Sequence, residues 1–138
     1  MTRQITTAGL IRKILPKIGT LILRNDSGSM ELRGQDLKLK ESAEWLTLYH
    51  ASAPSSESRS HLHLRKKAFR YAHIVERDGG SPCIAFWPHK QDRTGDRPPL
   101  CVFFPSFYDW ERNKAPIAKN RRYFRKWIER NGREFKLE

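Results

Sequence analysis

The 138-residue chain predicts an α+β fold, an antiparallel β-sheet module of six to seven strands flanked by an N-terminal and a C-terminal helix. Three observations carry this reading. Helical spacing of apolar residues is confined to the two ends, and the interior is a series of short runs rich in strand formers. Those runs are joined mostly by tight turns of Gly, Pro, Ser, Asn and Asp, too short for the crossovers that parallel pairing needs. No internal repeat or linker divides the chain, so residues 1–138 read as a single domain, a size at which roughly 70% of the unfolded surface is buried and no staple is needed.

The elements follow in order. Leu10, Ile11, Ile14 and Leu15 recur at helical spacing, with Thr6 or Thr7 as N-cap and Pro16 as terminator, which predicts a helix over 7–15. Gly19 to Arg24, the turn Asn25-Asp-Ser-Gly28, and Ser29 to Arg33 form a hairpin pattern. Leu37 and Leu39 alternate with Lys38 and Lys40, and Trp45-Leu-Thr-Leu-Tyr-His50 is rich in strand formers, giving two further strands. Ala51 to Ser60, with five serines and Pro54, is a loop that leads directly into His61.

From His61 the alternation of His61, His63 and Arg65 with Leu62 and Leu64 predicts a strand with both imidazoles on one face. The same parity carried onward adds Lys67, Phe69, Tyr71, His73 and Val75 to that face, with a bulge or bend between Arg65 and Ala68 where the polarity changes. Asp78-Gly-Gly-Ser-Pro82 is a turn, Cys83 to Trp87 and Leu100 to Phe104 are buried strands, and His89 to Pro99 is a polar loop. An aromatic patch, Phe107-Tyr-Asp-Trp110, precedes the final helix at 117–130, which opens behind Pro116, turns Phe124, Trp127 and Ile128 inward and stops at Asn131-Gly132.

Hydrophobic residues at 38%, charged residues at 30% and four Trp, four Tyr and seven Phe describe a globular, ordered chain. No run approaches the roughly 20 apolar residues of a spanning helix, and the first residues lack a signal h-region, so the expectation is a cytoplasmic protein without a membrane anchor. Cys83 and Cys101 sit within apparent strands without CxxC spacing, as buried thiols of a reducing compartment do. The formal charge of +12 favours an anionic partner: nucleic acid, phosphate, or a cofactor bearing carboxylates.

Two imidazoles two residues apart on a strand reach one metal or one face of a flat ligand, although a solvated strand face has the same pattern. A cupin-like site wants a glutamate where Lys66, Lys67 and Ala68 stand, and a histidine-triad site wants a histidine where Arg65 stands. Zinc deamination lacks its CxxC and His-x-Glu. His73 and Tyr71 read either as further ligands or as packed residues with wet polar ends, and His50 and His89 as surface residues. The last helix carries Lys119, Arg121, Arg122, Arg125, Lys126 and Arg130 against Glu129 alone, a face that is solvated or meets phosphates. No nucleophile stands beside a base and no Gly-rich phosphate loop occurs, so catalysis finds no support in the residues.

The order of elements, with Glu44-Trp-Leu-Thr-Leu-Tyr49, Ser60-His61-Leu-His63-Leu-Arg65, Ala72-His-Ile-Val-Glu76 and Ser81-Pro-Cys-Ile-Ala-Phe-Trp87, resembles a single module of the HemS/ChuX kind of haem-utilisation protein. The resemblance covers the layout of residues 5–130 more than identities. It implies an antiparallel module that binds haem in cytosolic haem uptake, storage or transfer, often as a homodimer, and leaves haem degradation open. His61 matches the family's motif histidine and is the implied haem contact or axial iron ligand. Strand parity adds His63, Tyr71 and His73, and Arg59 or Arg65 suits the propionates. The chain departs from the family in its short loops, its Phe86-Trp87 pair and its strong basicity. A basic nucleic-acid-binding module contacting phosphates through the last helix and Lys66-Lys67 is the alternative.

Overall fold

The computed structural model describes residues 1–52 and 61–138. Twelve strands and two α-helices are present among them: β1 (Thr2–Ile5), α1 (Thr7–Ile14), β2 (Thr20–Asn25), β3 (Gly28–Arg33), β4 (Leu37–Glu41), β5 (Trp45–His50), β6 (His61–Arg65), β7 (Tyr71–Val75), β8 (Cys83–Trp87), β9 (Leu100–Phe103), β10 (Tyr108–Asp109), β11 (Ala115–Pro116), α2 (Ala118–Asn131) and β12 (Glu134–Leu137). The α+β class with mostly antiparallel pairing is as expected. The strands, however, form three sheets: seven strands in the order β1-β12-β7-β8-β9-β2-β3, three in the order β4-β5-β6, and the β10-β11 ribbon.

Local chemistry explains the elements. Thr6 caps α1 by accepting a hydrogen bond from the Gly9 N–H at 2.9 Å. The β2–β3 turn is held by Asn25 Oδ1, which accepts from the Ser27 and Gly28 N–H groups. Gly132, at φ +88°, ends α2 and donates to the Ile128 carbonyl at 2.7 Å. Helix α2 begins one residue later than expected because Pro116 is taken up in β11 and Ile117 serves as the cap residue.

Strands β1 and β12 were not anticipated. They pair parallel, Arg3 beside Phe135 and Ile5 beside Leu137, which places β12 between β1 and β7. On the inner face of the large sheet Leu21, Ala72, Ile84, Phe86, Leu100, Val102 and Phe135 join Leu10, Ile11 and Ile14 of α1 and Phe124 and Trp127 of α2 in one buried cluster. The inner leucines of the small sheet, Leu46, Leu48, Leu62 and Leu64, belong to the same cluster. Helix α1 is fastened on both sides, by Arg12 to Glu41 of β4 at 3.1 Å and by the Trp127 indole N–H donating to the Lys13 carbonyl at 3.0 Å.

The expected bend after Arg65 is a change of sheet. The Lys66 N–H bonds the Glu44 carbonyl, Ala68 turns back to Arg65, Phe69 enters the core, and the Arg70 N–H bonds the Trp87 carbonyl. Parity is therefore not carried from β6 to β7, which corrects the expectation of one continuous face from His61 to Val75.

Candidate functional site

The outer face of the small sheet is built by alternation. With Leu46, Leu48, Leu62 and Leu64 turned into the core, Trp45, Thr47 and Tyr49 of β5 must point outward, and so must His61, His63 and Arg65 of β6. The register sets Tyr49 opposite His61, Thr47 opposite His63 and Trp45 opposite Arg65. Lys38 and Lys40 of β4 lie beside Tyr49 and Thr47 on the same face. Rings and cations cover this face, and no carboxylate stands among the residues that the register places there.

The two imidazoles meet edge to face, with ring centroids 5.0 Å apart. Thr47 Oγ1 lies 2.9 Å from His63 Nδ1, and the Trp45 indole flanks the same ring at 6.4 Å. In the tautomer whose Nδ1–H donates to Thr47, Nε2 keeps its lone pair, which is the arrangement of a metal-ligating histidine held by a hydrogen bond through its other nitrogen. Arg65 stacks over Trp45 with Cζ 4.7 Å from the ring centroid. Arg65 also borders a cavity of about 480 Å³ at the start of α1, shared with Thr7, Lys66, Lys67 and Glu41. There Glu41 takes Lys66 at 2.7 Å and Arg12 at 3.1 Å, and hydrogen bonds from these two hold its carboxyl below the ordinary range.

Tyr71 and His73 lie elsewhere, on the outer face of the large sheet. Tyr71 stacks on His73 at 5.5 Å, and His73 Nε2 accepts the Trp87 indole N–H at 3.1 Å. Burial pushes the Tyr71 hydroxyl above its ordinary pKa, with the Glu134 carboxylate adding to the rise, and burial pulls His73 down. Lys90, in the short 3₁₀ turn Lys90–Thr94, reaches over Tyr71 at 6.0 Å. The five predicted residues are thus divided: His61, His63 and Arg65 come together, and Tyr71 and His73 form a second, packed group. Arg59 lies outside the described residues.

His89 is exposed and precedes the Lys90–Thr94 turn as its cap residue. The His50 Nε2–H donates to the Arg33 carbonyl at 2.7 Å, and Phe104 and Phe107 belong to the buried core. Cys83 and Cys101 are buried and unbridged, as expected. A hydrogen bond between the thiols and burial push Cys83 well up, while the same bond and the Arg24 guanidinium favour the thiolate at Cys101. Residues missed by the reading along the chain are Lys38, Lys40, Trp45 and Thr47, whose outward parity was visible but whose neighbours were not.

Among the described residues no group of three or more His, Cys, Asp or Glu side chains is placed to hold a metal ion. No protein-family model matches this chain, and no curated protein matches it.

Proposed function

We propose that the outer face of the small sheet binds haem, with His63 as the axial ligand and His61 as its neighbour or alternative. The observation that supports this reading most directly is the Thr47–His63 hydrogen bond on a face of rings and cations without a carboxylate. A bare ion would find too few protein donors here, whereas haem iron asks the protein only for axial ligation. Arg65, Lys38 and Lys40 would meet the propionates, and Trp45 and Tyr49 would contact the ring. The residues fit such a group, which would supply iron chemistry, while the chain's own part is to orient an imidazole and neutralise two carboxylates. The resemblance of Ser60-His61-Leu-His63-Leu-Arg65 to the haem-utilisation motif supports the same reading, with carriage in the cytoplasm as the role.

Haem titration followed by absorbance tests this. A saturable one-to-one Soret band is expected, weakened more than tenfold by His63→Ala and roughly tenfold by Thr47→Val, the scale of losing a hydrogen bond behind a ligand. Absence of a saturable band, or a band indifferent to both His63→Ala and His61→Ala, would remove the proposal.

A further inference from the structure

The β10–β11 ribbon and the exposed side of α2 carry a second surface, separate from the histidine face. Trp110 is 60% exposed, an unusual position for an indole in a chain whose other exposed large hydrophobic residues, among those described, are Met1, Met30 and Trp45. It does not stand alone. Tyr108 meets it edge to face at 6.3 Å, and the Lys114 ammonium lies 5.1 Å from the Trp110 ring and 5.3 Å from the Tyr108 ring. Lys114 reaches them from a left-handed backbone, φ +58°, next to Asn113 at +53°. Two successive non-glycine residues in that region are a local cost that the ribbon sustains.

The ring group continues into α2. Arg121 stacks over Phe107 at 4.6 Å and donates through Nη2 to the Tyr108 hydroxyl at 3.4 Å. One turn on, at i+4, stands Arg125, and Arg122 and Lys126 repeat the spacing beside it, all three exposed. Acids on these two elements are few: Glu129 is the only one on α2, Asp109 is engaged by Arg112 at 3.7 Å and caps its own turn, and Glu111 completes the set on the ribbon. Glu76, paired with Arg133, and Asp78 border Tyr108 and Arg121 from the turn after β7.

We propose that this surface binds single-stranded nucleic acid, with Trp110 stacking on a base and Lys114, Arg122, Arg125 and Lys126 meeting phosphates. A basic helix face alone would suit any polyanion. The exposed indole beside the Lys114 ammonium decides the class, because stacking on an aromatic ring needs an unpaired base. One indole without other exposed apolar residues beside it is too little to anchor in a lipid surface. The +12 formal charge supplies long-range attraction for such a ligand.

Fluorescence anisotropy of a labelled oligothymidylate of about 12 nucleotides tests the assignment, alongside a duplex of equal length and phosphatidylserine vesicles. The single strand is expected to bind more tightly than the duplex and to lose about tenfold on Trp110→Ala. The Arg122→Gln, Arg125→Gln double variant is expected to bind more weakly with a shallower salt dependence, by about 0.7 in log–log slope for each contact removed. No binding at low salt overturns the proposal. So does binding that Trp110→Ala leaves unchanged, equal affinity for duplex, or stronger retention on the vesicles. Trp110 is a surface residue, so its variant keeps the fold, and an unchanged haem titration of that variant separates this surface from the histidine face.

Discussion

His63 and His73 are both imidazoles on strands, and their surroundings give them opposite tasks. His63 is exposed and braced by Thr47. His73 is half-buried, accepts the Trp87 N–H at Nε2, and has its pKa lowered from 6.5 by burial, which outweighs the opposing pull of Glu134 and is helped by a smaller push from the Arg93 charge. Protonation of His73 would put a charge in a desolvated place and take away Trp87's acceptor. As pH falls below about 6.5 the unfolded chain takes up a proton that the folded chain refuses, so stability declines until the lowered folded pKa is passed and then levels off. Urea midpoints measured between about pH 7.5 and 5 should show this decline, and His73→Leu should flatten the part that His73 contributes. An unchanged slope in the variant would assign the dependence to other groups.

At the scale of elements, the exit from the large sheet into the small one depends on Gly34. Its N–H bonds the Gly19 carbonyl at 2.8 Å, and a Cβ at this position would come within 2.3 Å of Ile18 Cγ2 and 2.7 Å of the Ile18 carbonyl oxygen. Backbone cannot move aside as a flexible side chain does. Gly34→Ala should therefore destabilise by about 1–3 kcal/mol or more in urea unfolding, whereas Gly28→Ala, with nothing within 4 Å, should cost little from contacts.

The same elements show what was legible along the chain. Alternation is a local property, so the inward leucines and outward histidines of β6 were readable from Leu62, Leu64, His61 and His63 alone. Sheet membership is not local. Nothing within residues 61–75 reveals that β6 pairs with β5 while β7 pairs with β8 and β12, so His61 and His73 looked like members of one face. Strand β12 had its signal in Phe135 and Leu137 alternating with Glu134 and Lys136, but four residues of alternation beyond a helix stop are easily read as a tail. Thr47 became part of the candidate site only once the register set it opposite His63.

Across the whole molecule, the main cluster joins both larger sheets and both helices, and the smaller one of Tyr71, Ala85 and Trp87 lies on strands that share that main cluster, so opening one sheet strips packing from the other. The thiols report this. Cys83 and Cys101 are 2% and 1% exposed on the two central strands β8 and β9. Neither should react with a thiol reagent in the native state, and both should label together at the rate of global unfolding. Rapid labelling of one thiol in the absence of denaturant would show instead that the β8–β9 region opens locally.

The parallel pairing of Thr2–Ile5 with Glu134–Leu137 brings together segments separated by nearly the full chain. During synthesis β1 emerges long before β12, its partner in the sheet, and β7, once made, likewise keeps the edge that β12 will cover open until then. Nascent chains therefore pass through a stage with two unpaired edges, and a ribosome that stalls before residue 134 leaves both exposed to other chains.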